Sequence, residues 1–284
     1  MKANSATLYS LPNEVFVQIL TPFTTRELLG LATVSQRLYA LVLRLLHYRL
    51  LLSASLTEYK LILECFHPTS KLTEPHVFCE YLGTPGLSDK YEGEGSLYEN
   101  IDTAQQLGRL GSVYSVFKPM EELDSEEGSL DDSLEVKRSV NIEGFEDFSQ
   151  LCVVASVVKV VPGTQKIQSV VNIEDGVIRL FRNWLKDQVN RSPALKEQND
   201  SSHDQVLWAD RSKNAGLKFR VREATRLDTN FPVLIHRDDE AFSSYEIVIE
   251  ELHVRTTCLL LAVEKSLEEQ QSYRQAVIFT PSVR

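Results

Sequence analysis

Between residues 10 and about 52, apolar positions recur at helical spacing in three short runs. The first, Pro12–Leu20, aligns Leu11, Val15 and Ile19 on one side, with Phe16 and Leu20 beside them. Pro is tolerated in a first helical turn, where its missing N–H has no partner anyway. Thr-Pro-Phe (21–23) ends this helix. Thr24 and Glu27 then predict a capping box at the start of a second helix bearing Leu28, Leu29, Leu31 and Ala32. Ser35 is placed to cap a third helix. That helix carries two stripes: Leu38, Leu41, Val42 and Leu45, then Tyr39, Leu43, Leu46 and Leu50. Its polar face (Arg37, Arg44, His47) takes less than half the circumference. Three helices totalling roughly 40 residues cannot hide so much apolar surface among themselves. Part is expected to pack on the following domain, and the rest is a candidate protein-binding face.

From residue 57 the period changes from helical to alternating. Strands are expected at 59–66, 76–83 and 111–119, with a loop at 67–75 and a turn at 83–87. The apolar run 151–161 fits a buried strand, paired with 167–171 across Pro162-Gly163. In 174–189, Val177, Leu180, Phe181, Trp184 and Leu185 fall at helical spacing, which predicts an amphipathic helix. "GLKFRVRE" (216–223) alternates with Leu217, Phe219 and Val221 inward. Residues 244–266 are read as one long or two consecutive strands, and 274–280 as a closing strand. Eight to ten strands with few helices, and no regular strand–helix alternation, predict an α+β, mainly β chain. Its domains are a three-helix unit at 8–52 and an antiparallel β-sandwich, jelly-roll-like, at 55–284 with one packed amphipathic helix.

The chain has 284 residues and a net charge of −10, which argues against a nucleic-acid or anionic-membrane binder. The acidity is local: 119–148 holds eleven acidic residues against two basic ones. This block reads as a mobile insertion, because its charges repel and it has little apolar surface. Ser129, with Asp132 three residues on, suits an acid-directed kinase, although a solvated loop accounts for the composition by itself. The four cysteines are scattered, with no CxxC pair, which does not make a disulfide framework. The first residues lack the apolar run of a signal peptide, and Leu38–Leu52 is interrupted by Arg44, His47 and Arg49. A cytoplasmic or nuclear location with reduced thiols is therefore expected, where the sequon at Asn199 has no meaning.

The N-terminal residues resemble an F-box, the helical motif that docks to the Skp adaptor of SCF ubiquitin ligases. The matching positions are Leu11, Pro12 and Glu14, then Ile19 and Leu20, then Glu27, Leu28 and Leu29, then Val34, Ser35 and Arg37. The family usually has Trp where this chain has Leu38, and a second Trp near His47 and Tyr48; Pro22 is also unusual. The runs "CFHPTSKLTEPHVFCEYLGTPGL", "NIEDGVIRLFRNWL" and "GLKFRVRE" resemble the C-terminal region of F-box proteins of filamentous fungi. The resemblance implies adaptor-binding residues at Leu11, Pro12, Val15, Ile19, Leu20, Leu28, Leu31, Val34 and Leu38. It also implies a cullin scaffold reached through the adaptor, and a substrate-recognition role for the C-terminal domain.

Catalytic signals are weak. Cys65, His67, His76 and Cys79 come nearest to a metal set, but the spacing matches no common zinc finger. "IHRDD" (235–239) lacks the Asn of a kinase catalytic loop, and no phosphate-binding glycine loop or GxSxG occurs. Asp238, Asp239 and Glu240 are hard-oxygen donors in a loop, and Trp208 with Asp210 can line a ligand cleft. The expectation is a non-enzymatic substrate receptor without cofactor. The alternative is a glycan- or small-ligand-binding β module capped by the helices.

Overall fold

The computed structural model describes residues 11–87, 110–120, 135–161, 167–191, 206–224 and 242–273. Three helices come first: α1 (Asn13–Leu20), α2 (Thr25–Leu31) and α3 (Gln36–Ala54). Strands β1 (Lys60–Phe66), β2 (Val77–Gly83), β3 (Tyr114–Met120), β4 (Val136–Ile142), β5 (Phe148–Val160) and β6 (Ile167–Phe181) follow. Helix α4 (Arg182–Arg191), strands β7 (Val206–Trp208), β8 (Ala215–Glu223) and β9 (Ser243–Arg255), and helix α5 (Thr256–Tyr273) complete the order.

All strand pairs are antiparallel, in the order β6-β5-β1-β2-β3-β9-β8-β7. Strand β9 is long enough to pair β3 along 252–255 and β4 along 243–249. The sheet curls so that inward residues of every strand share one core, among them Leu63, Phe117, Val153, Leu180, Leu217 and Ile247. Its two ends meet where Gly176 of β6 lies against Ala209, just beyond β7. A Cβ at Gly176 would come within 2.5 Å of the Ala209 carbonyl oxygen, so only glycine fits this seam. The result is a sandwich-like, nearly closed barrel. By register, α5 leaves the end of the barrel nearest the N-terminal helices and α4 leaves the opposite end.

Two elements differ from the sequence expectation. Residues 174–181 continue β6 rather than opening a helix, and only 182–191 are helical. "VIRLF" satisfies both periods, but the long edge of β5 pairs with it residue by residue from Phe148↔Phe181 to Ala155↔Glu174. Ile178 and Leu180 point inward, whereas Val177 and Phe181 of the supposed helical stripe are about half exposed. Trp184, Leu185 and Val189 do reach the core from α4. Residues 256–266 are helix rather than strand. The run Leu259–Val263 is ambiguous by hydrophobicity, and the helix formers that follow carry it to Tyr273. The β domain thus packs two helices, not one.

The acidic insertion is also narrower than expected. Val136, Val140 and Ile142 alternate inward in β4, and β5 begins at Phe148. Residues 121–134, the closing strand expected at 274–280, and Asp238, Asp239 and Glu240 lie outside the described residues. Among the described residues, no helix is long and apolar enough to cross a membrane.

Replacing Gly176 with Ala should open the seam at Ala209. Chemical denaturation should report a loss of about 1–3 kcal/mol, as for other overpacked sites, with antiparallel sheet signal retained.

Candidate functional site

The three N-terminal helices form a second core, in which Phe16, Val17, Leu20, Leu28, Leu41 and Leu45 meet. The local signals in the sequence account for its construction. Thr24 Oγ1 accepts from Glu27 N at 3.3 Å while Glu27 Oε2 accepts from Thr24 N at 2.8 Å, completing the capping box. The Thr24 N–H and the Thr24 hydroxyl, which donates to the same Oε2 at 2.9 Å, hold the Glu27 carboxyl below its usual range. Ser35 Oγ accepts from Leu38 N at 3.2 Å and caps α3. Arg37 joins the start of α3 to the start of α1. Its guanidinium donates to Asn13 Oδ1 and the Leu11 carbonyl and lies 4.8 Å from the centre of the Phe16 ring.

Both apolar stripes of α3 are largely covered by the chain itself. Leu43, Leu46 and Leu50 are buried, with Leu87, Leu110 and Leu260 joining the same core. His47, expected on a polar face, is buried too, and burial lowers its pKa. Apart from Leu52, exposed on α3, the exposed apolar surface of this unit lies on α1, α2 and the turns beside them. Val15 is 37% exposed, Ile19 42%, Leu29 44% and Val34 61%. Of the residues expected to bind an adaptor, Pro12, Val15, Ile19 and Val34 are exposed, and Leu11, Leu31 and Leu38 are partly covered. Leu20 and Leu28 are at 4% and 0% and hold the helices together from within, so their side chains offer nothing to a partner. Sequence reasoning placed them on the face because a three-helix stripe does not reveal which side its own core takes. Leu29 was missed as an exposed apolar residue, although its neighbour Leu28 carries the inward position.

Helix α5 fixes this unit to the β domain. Glu264 Oε1 accepts from Arg49 Nη1 at 2.9 Å and from Thr25 Oγ1 at 2.6 Å, and Glu264 Oε2 accepts from Thr25 N at 3.1 Å. Arg49 in turn donates to the carbonyls of Thr21 and Phe23. One carboxylate thus pairs with α3 and sits at the N-terminal end of α2, where backbone donors and the helix dipole favour it. Beside this latch lies a groove of about 570 Å³, with Phe23, Leu52, Leu56, Val263 and Leu267 among its walls.

The residues singled out for metal chemistry are separated. Cys79 pairs with Leu61, four positions from Cys65 and thus about 13 Å along the strand. Burial pushes the Cys65 thiol up to about 12 and raises that of Cys79. His67 Nδ1 is bonded to Thr69 Oγ1 at 2.7 Å, and His76 packs edge-on against Phe78. Among the described residues no three His, Cys, Asp or Glu side chains gather at a metal-binding distance.

Trp208 and Asp210 do share a cleft, as the sequence suggested. It measures about 550 Å³ and is walled also by Gln150, Val177, Arg179 and Arg211. The Trp208 ring is hemmed in. A Cβ at Gly216 would come within 2.7 Å of its Cε3, the Tyr114 ring lies 5.0 Å away, and the Lys213 ammonium stands 6.0 Å over it.

Residues 8–53 match the family model described as F-box-like. The N-terminal unit is an F-box-like domain. The matched segment spans α1 to α3 and ends one residue before α3 does. Neither the curated proteins nor the solved structures give a match to the chain. The F-box therefore rests on its motif and on helices that bury the family's Leu20 and Leu28 while exposing Ile19 and Val34.

Replacing Glu264 with Ala should leave Arg49 and the first turn of α2 without their shared acceptor. A loss of about 2–3 kcal/mol is expected from charged hydrogen bonds of this kind, together with faster hydrogen exchange in α2. A second expectation concerns pH. The folded state resists protonating His47, whereas the unfolded chain takes a proton near the ordinary value of 6.5. Stability should thus be level above that pH and decline as pH falls below it. His47→Gln should flatten that part of a denaturation-versus-pH profile.

Proposed function

We propose that this chain is a substrate-recognition subunit of an SCF-type ubiquitin ligase. The F-box docks to a Skp-type adaptor and reaches the cullin scaffold through it, while the β domain holds a target protein. The observation that carries this reading is the set of uncovered apolar side chains on the F-box, Val15, Ile19, Leu29 and Val34. Apolar side chains gathered on one small helical unit are the usual mark of a partner surface. F-box domains typically bind adaptors of this class.

The work assigned to the chain is positional. It supplies no reacting group; it raises the effective concentration of target lysines near the transferring enzyme. The latch at Glu264 supports this role, because a receptor whose two parts are pinned together presents its cargo at a defined angle. A cytoplasmic or nuclear setting follows from the role. The alternative of a glycan-binding module draws little from Trp208, whose ring is already packed against Gly216, Tyr114 and Lys213.

Ile19→Asp combined with Val34→Asp places two charges on the exposed face without touching the buried Leu20 and Leu28. Co-purification with the adaptor should fall on the order of hundredfold, as for loss of two interface anchors. Circular dichroism and melting should be unchanged. Undiminished adaptor binding by that variant would remove the assigned face.

A further inference from the structure

We propose that the seam cleft at Trp208 is where the β domain takes hold of its target, by binding an oxyanion-bearing side chain of an extended peptide. This rests on the receptor reading of the β domain and adds the place and the chemistry. The cleft lies between the outer face of the β5–β6 ladder and the turn after β7. Among the described residues, β6 and β7 are the terminal strands of the sheet. At this point the β6 edge is closed against Ala209, so a segment of target chain is held here through its side chains.

The chemistry follows from the donors. Gln150 and Arg179 are direct neighbours across the ladder, and both face outward. Arg211 stands opposite, on the turn after β7. Among the described residues, neither the Arg179 nor the Arg211 guanidinium hydrogen-bonds to a protein acceptor, and the same holds for the indole N–H of Trp208. All three groups can only donate. Asp210, the one carboxylate in the cleft wall, is turned toward its own loop, where it accepts from Ser212 N at 3.3 Å and from the Arg211 backbone. Lys213 adds a further positive charge over the Trp208 ring. Arg179, whose guanidinium lies 5.4 Å from the centre of the Phe148 ring, lines one cleft with Arg211 and Trp208, and the set suits a ligand with several acceptor oxygens, for which arginine is the suited partner. In a chain of net charge −10 this pocket is an exception. It offers positive groups to an anionic side chain, outside the acidic block at 119–148.

Carboxylate and phosphoryl groups share this acceptor chemistry, and the experiment separates them. The full chain is labelled with ¹⁵N, and the indole signals of Trp184 and Trp208 are assigned with Trp208→Phe. It is then titrated with hexaglutamate, with a phosphoserine-containing peptide, with hexaglutamine and with inorganic phosphate, each at low and high salt. Saturable shifts of the Trp208 indole, with Trp184 unmoved, are expected from at least one anionic peptide and not from hexaglutamine. They should weaken at high salt. The source is assigned by which peptide saturates at lower concentration. In Arg179→Gln with Arg211→Gln the apparent affinity should fall roughly tenfold or more, with an unchanged melting temperature. The proposal is overturned if no peptide saturates, if only free phosphate does, or if the double variant binds like the parent. Adaptor co-purification by the same double variant is a separate readout. It should be retained, and its absence from the parent chain would overturn the receptor reading instead.

Discussion

The structure turns on one helix that serves two interiors. α5 sends Leu259 and Ala262 into the core of the β domain and Leu260 into the core of the F-box. Its Glu264 takes three hydrogen bonds from α2 and α3. Without it, the barrel would be open at one end and α3 would show solvent the stripe now covered by Leu260. At the start of the same helix, hydroxyls run in a buried chain: Thr84 to Ser115 at 2.9 Å, and Ser115 to Thr256 at 3.0 Å. Buried polar groups of this kind are tolerated because each finds a partner, and they fix the helix in one register against β3.

This arrangement gives the F-box a division of labour between its faces. Leu20, Leu28 and Leu41 close the interior, Leu46 and Leu50 belong to the side joined by the β domain, and Ile19 and Val34 stay open. One departure from the family pattern falls where the chain supplies its own cover, whereas Pro22 is exposed and Leu38 is partly so. His47, near the position of the family's second Trp, is buried in α3.

Much of this was legible in advance because the signals were local. Caps at Thr24 and Ser35, alternation in 216–223 and the β5–β6 hairpin all depend on residues close in sequence. What could not be read was decided by distant partners. "VIRLF" is strand because β5 runs beside it, and "CLLLAV" is helix because it must plug the barrel and reach α3. The site divides the same way. Ile19 and Val34 could be named from the motif, but only the packed core tells them apart from Leu20 and Leu28. The cleft was half visible, as Trp208 and Asp210. Arg179 is hidden because the periodicity of 174–189 predicts a helix, which gives it no reason to face the turn after β7.

The latch at Glu264 has a consequence for biosynthesis. Thr25 and Glu264 are separated by 239 positions along the chain. The F-box leaves the ribosome early, yet Leu260 and Glu264, which complete the cover of α3, emerge only after nearly the whole β domain has been translated. Until then its leucines face solvent, and contacts this remote form slowly. The nascent polypeptide thus passes through a stage in which it is adhesive, and chaperones or the adaptor itself are the natural guardians of that interval.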